Sequence, residues 1–313
     1  MAAARPLNET RTSGDLLADR RYAYADAAFR DGDFEAAADL ARQTLELAPG
    51  FAPAHALLGR AQAALGNQAP AIEALARALA IEPDDVLGVR LDLARLGALP
   101  SEEAIGTAYV RALFDSYALG FDRHLVESLK YCAPEMIREA LRRACGAQGR
   151  RLWFDRAFDL GCGTGLMGQA LADVCATIEG VDLSPRMLAE AAKGRTYGAL
   201  HESGLLPFLQ AAPERGADLV VAADVFVYLA ALDPVFAAVR RALRADGLFA
   251  FTVQAHAGEG LTLGADARYA HSESYLRGLA ISTGFEVALF EPVTTRQDRG
   301  ADVPGFLAVL GRE

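Results

Sequence analysis

The sequence predicts an all-α segment followed by an α/β domain with a mostly parallel sheet and a C-terminal antiparallel hairpin. Helical residues recur with a fixed period in the first third of the chain. From Leu152 onward, short apolar strands alternate with helices, a pattern typical of a parallel sheet covered on both faces. One of these strands ends in an acid and three spaced glycines, within Phe158–Gly165. Such a strand–turn–helix segment places backbone close to a bound ligand.

The N-terminal repeat relates two blocks that lie 34 positions apart in the sequence. The recurring residues are Gly32, Ala37, Leu45, Leu47 and Pro49, matched by Gly66, Ala71, Leu79, Ile81 and Pro83. This period resembles that of tetratricopeptide repeats, whose helices pack through small residues. Arg21 and His55 stand where such repeats usually carry a large aromatic side chain. A third helix, from about Asp85 to Leu96, is expected to cap them; a helical bundle with chance periodicity is the alternative.

The composition changes along the chain define four expected segments. Ser101 follows Pro100 and is a good N-cap, so a new helical segment is expected to begin there. The predicted segments are a flexible tail at 1–15, repeats at 16–99, a helical lead-in or lid at 100–150, and the α/β domain at 151–313.

Seven strands are expected in the α/β domain. They lie at 155–160, 177–182, 199–202, 217–223, 247–254, 285–293 and 305–312. Helices are expected between them, at 165–176, 184–194, 205–213, 230–245 and 273–283. The last two strands are joined by a predicted loop at 294–304, which favours an antiparallel hairpin. Arg296 and Arg299 fall in this loop, where they are either exposed or in contact with an acidic substrate.

The bulk properties exclude several classes of function. The net charge of -10 and pI of about 5.1 disfavour a nucleic-acid partner, because an acidic surface repels phosphate. The four cysteines form no CxxC pair, so we expect reduced thiols and no metal site. No apolar run is long enough for a membrane span, and the first residues lack a signal-peptide core. A cytoplasmic protein is the expectation.

The glycine-rich turn predicts a nucleotide-type cofactor, and a nicotinamide dinucleotide is one candidate. Gly163 to Gly168 matches GxGxxG, which a nicotinamide dinucleotide site would use. Asp159 stands before the first glycine, however, and the tighter register of Gly161, Gly163 and Gly165 is also complete. The C-terminal hairpin further replaces the second mononucleotide half of a dinucleotide fold. An oxidoreductase is therefore the weaker alternative.

Three motifs, in this order and spacing, resemble class I S-adenosylmethionine-dependent methyltransferases: Phe158–Gly165, Gly180–Leu188 and Ala222–Tyr228. The resemblance implies a Rossmann-like, seven-stranded, mostly parallel sheet. Within that superfamily the chain resembles the branch of the ubiquinone/menaquinone and biotin-pathway enzymes, and it looks like bacterial predicted methyltransferases with N-terminal tetratricopeptide repeats. S-adenosyl-L-methionine is the implied cofactor.

The resemblance also implies which residues contact that cofactor. They are Tyr117, Asp159, Gly161, Cys162, Gly163, Gly165, Asp182, Leu183, Met187 and Asp224. Asp159 would meet the ammonium of the methionine part, and Asp182 would accept from both ribose hydroxyls. Tyr117 would close over the cofactor as part of a lid, while Met187 is either an adenine contact or core. Gly204 occupies a position where relatives often have an acid for the adenine amino group, which Glu202 could replace.

Candidate catalytic residues follow from the expected mouth of the site. They are Asp224, Tyr228 and His271, with packing or turn roles as the alternatives for Tyr228 and His271. A general base is needed only for an acceptor that starts protonated. We therefore expect a methyltransferase acting on a small molecule or a protein. The alternative is a non-catalytic S-adenosylmethionine-binding scaffold whose repeats bind a protein partner. Self-association through the repeats is also possible.

Overall fold

A computed structural model describes the chain over residues 11–118, 120–123, 125, 129–298 and 300–312. Residues 1–10 of the expected tail, and Arg299, lie outside the described residues. Of the described residues, those up to Leu113 form one compact unit and those from Phe114 form another. Within them, none of the helices combines the length and the apolar character that a bilayer crossing requires.

The first unit is built from helical pairs, as the repeat predicts. Its first five helices are α1 (Leu16–Arg30), α2 (Phe34–Leu47), α3 (Ala52–Ala64), α4 (Gln68–Ile81) and α5 (Val89–Arg95). α1 packs on α2, α3 packs on α4, and α2 also packs on α3. The fifth helix begins four residues later than expected. Asp85 has a left-handed backbone, and its carboxylate accepts from the backbone N–H of Val89 at 2.6 Å, so Asp85 precedes the helix instead of joining it.

Close packing of α3 on α4 depends on Gly59. A Cβ there would lie 2.6 Å from Leu75 Cγ and 3.0 Å from the carbonyl oxygen of Ala71. We expect Gly59→Ala to destabilise the protein by about 1–2 kcal/mol, because overpacking outweighs the gain in helix propensity. Thermal unfolding measures the change, with Gly50→Ala as the control, since nothing lies within 4 Å of a Cβ at Gly50. Equal melting temperatures for the two variants would refute this packing role.

The second unit, with α6 leading into it, carries the sheet. Its helices are α6 (Thr107–Tyr117), α7 (Phe121–Arg123), α8 (Ala133–Ala147), α9 (Leu166–Leu171), α10 (Pro185–Lys193), α11 (Leu205–Ala211), α12 (Asp233–Ala242) and α13 (Glu273–Ser282). Its strands are β1 (Phe154–Leu160), β2 (Cys175–Asp182), β3 (Ala199–Glu202), β4 (Ala217–Ala222), β5 (Leu243–Ala255), β6 (Leu261–Leu263), β7 (Tyr269–His271), β8 (Phe285–Asp298) and β9 (Ala301–Arg312).

The sheet confirms the Rossmann-like fold class. Its main path runs β3-β2-β1-β4-β5-β7-β6, with β1 to β5 mutually parallel along that path. β9 pairs antiparallel with β5, and β8 pairs antiparallel with β9, which is the expected C-terminal hairpin. The three-residue strands β6 and β7 were not predicted, because so short a ribbon carries no readable alternation.

The hairpin is longer than expected. The predicted loop is mostly strand: β8 and β9 keep pairing to Asp298 and Ala301. Gly300 has φ +79° at the turn, and a left-handed glycine allows antiparallel strands to reverse within very few residues. The interpretation of Arg296 as an exposed loop residue is therefore wrong; Arg296 lies on β8 with 2% of its surface exposed.

Each face of the sheet is covered by its own apolar core. Along β5, Leu248 and Ala250 belong to one core, and Phe249 and Phe251 belong to the other. This alternation follows from side chains of a strand pointing to opposite faces. The Phe249 and Phe251 rings lie 4.8 Å apart and pack with Phe236. A sheet buried on both faces leaves the carboxyl ends of its strands as the place for a site.

Candidate cofactor and active site

The turn after β1 is a left-handed glycine backbone. Gly161, Gly163 and Gly165 have φ of +69°, +52° and +99°, a region that L side chains rarely adopt. A Cβ on Gly161 would also lie 2.4 Å from Val225 Cγ2, after the end of β4. The turn therefore requires glycine both for its backbone angles and for its closeness to the neighbouring strand end.

Asp182, the last residue of β2, holds this turn in place. One carboxylate oxygen accepts from the N–H of Gly163 at 2.9 Å, and the other accepts from the N–H of Ser184 at 2.8 Å. Burial raises the pKa of Asp182, opposed by these N–H donors, and Asp115 raises it further. Each oxygen keeps a further lone pair for a ligand. The role of Asp182 in holding the glycine turn was not predicted from the sequence.

Asp159 lies beneath the glycine turn, with 1% of its surface exposed. Its Oδ2 accepts from the hydroxyl of Tyr197 at 2.6 Å, whereas its Oδ1 is buried without a hydrogen-bond partner. Burial raises the pKa of Asp159 from its ordinary 3.8 to about 7; the Tyr197 hydroxyl opposes this and Asp182 adds to it. A buried acceptor without a donor is costly, so this oxygen fits a ligand that brings an N–H group.

Tyr197 was missed by the sequence reasoning, although it explains the last glycine of the GxGxxG match. A Cβ on Gly168 would lie 2.5 Å from Tyr197 Cζ, and a Cβ on Gly180 would lie 2.9 Å from Tyr197 Cε1. The Tyr197 ring lies against α9 and leaves no room for a side chain at Gly168. This contact explains the last glycine of the GxGxxG match without a bound dinucleotide. A glycine within β2, at position 180, was the sequence signal that a large ring lies nearby.

The remaining expected cofactor residues lie around this turn with different exposures. Cys162 is buried, and burial raises the pKa of its thiol, so it is a small neutral residue. Met187 is fully buried in α10, and its N–H donates to Ser184 Oγ at 3.0 Å. Leu183 is partly exposed and faces Gly204. Glu202 is exposed at the end of β3, in register with Asp182.

The lead-in segment forms hydrogen bonds with the turn after β1 and with the turn after β2. Ser184 Oγ donates to the Asp115 carboxylate at 2.5 Å, and the Thr164 hydroxyl donates to Asp122. Tyr117 lies in the sequence between these two acids, is partly buried and is close enough to Tyr228 to interact electrostatically. Two acids from one short segment therefore reach the turn after β1 and the turn after β2.

A second polar group lies at the carboxyl ends of β4 and β5. Asp224 has φ +59°, uncommon outside glycine, and its N–H donates to Thr252 Oγ1 at 2.9 Å. Its carboxylate pairs with Arg296 Nη1 at 2.5 and 2.6 Å. Arg296 Nη2 donates to Gln254 Oε1 at 2.8 Å. The hairpin thus brings a buried cation to the strand end that the sequence singled out.

The other two expected catalytic residues differ in their surroundings. Tyr228 packs edge-on against Phe114, with ring centroids 5.3 Å apart, and hydrogen bonds with Arg268. His271 lies on β7 with no exposed surface; its Nε2 is 3.0 Å from the carbonyl oxygen of Ala230, and burial lowers its pKa. The structure therefore gathers Tyr228 with Asp224 and Arg268, while it holds His271 in the interior.

Tyr131 is a further residue that no sequence motif indicated. Burial raises its pKa well above the ordinary value, and the nearby carboxylates of Asp224 and Asp159 raise it further, while Arg296 lowers it. Tyr131 thus lies within electrostatic range of Asp159, Asp224 and Arg296. It precedes α8, in a segment without a periodic pattern, which explains why it was missed.

Two family models match this chain. Residues 158–249 match a model described as a methyltransferase domain, and residues 28–96 match a model described as a tetratricopeptide repeat. The first match spans the glycine turn, Asp182 and Asp224. The second covers the helices in which the 34-residue period was found.

A curated relative is the malonyl-[acyl-carrier protein] O-methyltransferase of Geobacter sulfurreducens. The two are 39% identical over 105 residues, which are 31% of this chain and 38% of the relative. The chain therefore spans about two fifths of the length of that relative.

Solved structures are similar to this chain at low identity. Magnesium protoporphyrin IX methyltransferase from Synechocystis PCC 6803 is 16% identical with a TM-score of 0.51, over 66% of this chain and 99% of that one. The N-methyltransferase NodS from Bradyrhizobium japonicum WM9 is 19% identical with a TM-score of 0.44, over 57% and 86%. The first of these likenesses shows the fold. The chain therefore carries a methyltransferase domain over residues 158–249 and a tetratricopeptide repeat over residues 28–96.

Proposed function

We propose that the protein transfers the methyl group of S-adenosylmethionine to an acceptor with a polar or acidic group. The observation that carries this proposal is the buried Asp159 with its unpartnered oxygen, directly beneath a left-handed glycine turn. A ligand with an ammonium group next to a nucleoside fits such a pair of features. Few other ligands would bring a hydrogen-bond donor to Asp159 and also lie along the glycine backbone.

The cofactor-binding roles are assigned from these contacts. Asp159 would pair with the ammonium, and Gly161, Gly163 and Gly165 would let the backbone approach the methionine and ribose. Asp182 would accept from the ribose hydroxyls with the lone pairs that Gly163 and Ser184 leave free. Tyr117, Asp115 and Asp122 support a lid role for the lead-in segment, because the two acids bond to the two turns.

The acceptor side is assigned to the group around Asp224. Bound S-adenosylmethionine supplies a methyl group already activated by its sulfonium, so the protein has chiefly to hold the acceptor in line. Arg268 and Arg296 both lie near Asp224, and Arg268 also bonds to Tyr228. Arg296 is already paired with Asp224 and bonded to Gln254, whereas Arg268 bonds to Tyr228 and has Asp224 and Asp266 as electrostatic neighbours. Arg268 is therefore the guanidinium group proposed to meet an acidic acceptor. An anionic oxygen needs no general base, which agrees with the buried position of His271.

The Geobacter sulfurreducens relative supports this choice of acceptor. It is a malonyl-[acyl-carrier protein] O-methyltransferase, and a malonyl group carries a carboxylate. We propose a carboxylate as the first acceptor class to test. The repeats are proposed to bind a protein partner or a second copy of the chain, and analytical ultracentrifugation measures the second possibility.

Calorimetry with S-adenosylmethionine and its demethylated product tests the cofactor. We expect one site per chain. No binding at millimolar ligand would overturn the proposal.

Transfer of a radiolabelled methyl group tests the reaction. Carboxylate, hydroxyl and amine acceptors are compared, together with cell extract. We expect label in a carboxylate ester that alkali releases. Binding without transfer to any acceptor or extract would favour the scaffold alternative instead.

A further inference from the structure

Tyr197 lies in the connection between α10 and β3, with its ring in space cleared by glycines on two other elements. A Cβ at Gly165 or Gly168, at the start of α9, would lie 3.2 or 2.5 Å from the ring. A Cβ at Gly180, within β2, would lie 2.9 Å from it. The glycines at these positions on two elements thus leave room for the ring.

The Tyr197 hydroxyl joins two parts of the glycine turn. It donates to Asp159 Oδ2 at 2.6 Å and accepts from the N–H of Gly168 at 3.2 Å. The carboxyl group of Asp159 is therefore held in one orientation, with Oδ2 occupied and Oδ1 without a partner. Tyr197 acts on a ligand only through Asp159.

We propose that Tyr197 is a positioning residue for cofactor binding: its hydroxyl orients the Asp159 carboxylate so that Oδ1 is the oxygen presented to the cofactor ammonium. This inference rests on the proposed function. It goes beyond it because Tyr197 belongs to none of the three motifs that identify the cofactor site.

The groups around Asp159 determine how much the Tyr197 hydroxyl affects the ionisation of this carboxyl group. Asp182 raises the pKa of Asp159, and the Tyr197 hydroxyl lowers it by donating to the carboxylate. Cys162 and Tyr131 also face Asp159, but burial and the surrounding carboxylates raise their pKa values, which keeps both neutral. Tyr197 is therefore the neighbour that favours the ionised form of Asp159, the form that binds a cation.

Tyr197→Phe is the test, because phenylalanine keeps the ring and removes only the hydroxyl. Tyr275→Phe is a matched control: the Tyr275 hydroxyl donates to Asp233 at 2.9 Å and accepts from the N–H of Leu232 at 2.9 Å. Calorimetry with the demethylated cofactor is run from about pH 6 to pH 9 on the full chain. Tyr197→Phe should weaken binding about five- to tenfold near neutral pH, and the rise in affinity through about pH 7 should move to higher pH, because the hydroxyl that lowers the pKa of Asp159 is gone. Tyr275→Phe should bind as the wild type does.

Three results would overturn the inference. They are an unchanged affinity in Tyr197→Phe, a rise in affinity with pH that stays where it is in the wild type, or the same loss in Tyr275→Phe. If the wild type itself does not bind, the proposed function fails and this inference fails with it.

Tyr197→Phe is also combined with Asp159→Asn, so that an indirect effect of misfolding can be recognised. In Asp159→Asn position 159 has no charge for the Tyr197 hydroxyl to orient, so adding Tyr197→Phe should leave the residual affinity within about twofold. A further tenfold loss there would show that Tyr197 acts independently of Asp159 and would refute the positioning role.

Discussion

Replacing Asp182 by alanine should weaken the binding of S-adenosylmethionine by about 1–3 kcal/mol, or about five- to 150-fold in dissociation constant. Two effects combine. The ribose hydroxyls would lose their acceptors, and the N–H groups of Gly163 and Ser184 would lose the carboxylate that fixes the glycine turn. Isothermal titration calorimetry at constant pH measures the change.

Asp155→Ala is the control for this substitution. Asp155 lies on β1 at the opposite end from the site, and its side chain is 68% exposed in an ion pair with Arg244. Removing it should leave cofactor binding unchanged, because an exposed pair contributes little. Wild-type affinity in Asp182→Ala would refute the ribose assignment. Equal losses in the two variants would show a general effect of removing an acid from the sheet.

The second large effect is on pH dependence, through Asp159. Its pKa of about 7 in the folded protein lies above the ordinary 3.8, so folding favours the protonated form. The stability that this group contributes is fully present below about pH 4 and is lost as the pH rises through about 7. Cofactor affinity should change in the opposite direction, rising through about pH 7 as the carboxylate forms. Thermal unfolding without ligand and calorimetry with ligand measure the two trends.

Asp159→Asn isolates the contribution of this carboxyl group. The variant should lose the rise in affinity near pH 7 and should unfold at a higher temperature than the wild type at about pH 8, since no charge is buried. The cofactor amino group titrates near pH 8, so any change shared by both proteins belongs to the ligand. A wild-type affinity profile in Asp159→Asn would contradict the assignment of Asp159 to the ammonium.

Part of the candidate site could be predicted from local sequence patterns, and part of it could not. Asp159, the three glycines and Asp182 occur at strand ends, where spacing along the chain dictates position in a parallel sheet. Tyr197 carries no such pattern, because it bonds to Gly168 on α9 and to Asp159 on β1, which are distant from it in the sequence. The clue was indirect: glycines at 168 and 180 that no turn requires.

Arg296 illustrates the opposite error. A polar stretch between two apolar strands was interpreted as a loop, yet pairing of β8 with β9 continues through it. Register depends on the partner strand, so the partner strand decides where such a hairpin turns. Arg296 lies within the register shift between Thr294 and Gln297 and is buried there, and burial of a cation requires the partner that Asp224 provides.

The sequence by itself determined the fold class, the 34-residue repeat and the motifs of a methyl-donor site. Each depends on short spacings that fix backbone conformation locally. Only the tertiary structure decided that Tyr197 orients Asp159, that Arg296 pairs with Asp224 and that His271 is enclosed. These depend on which distant residues share a buried space, where an ionisable or polar group must find a partner because water is excluded.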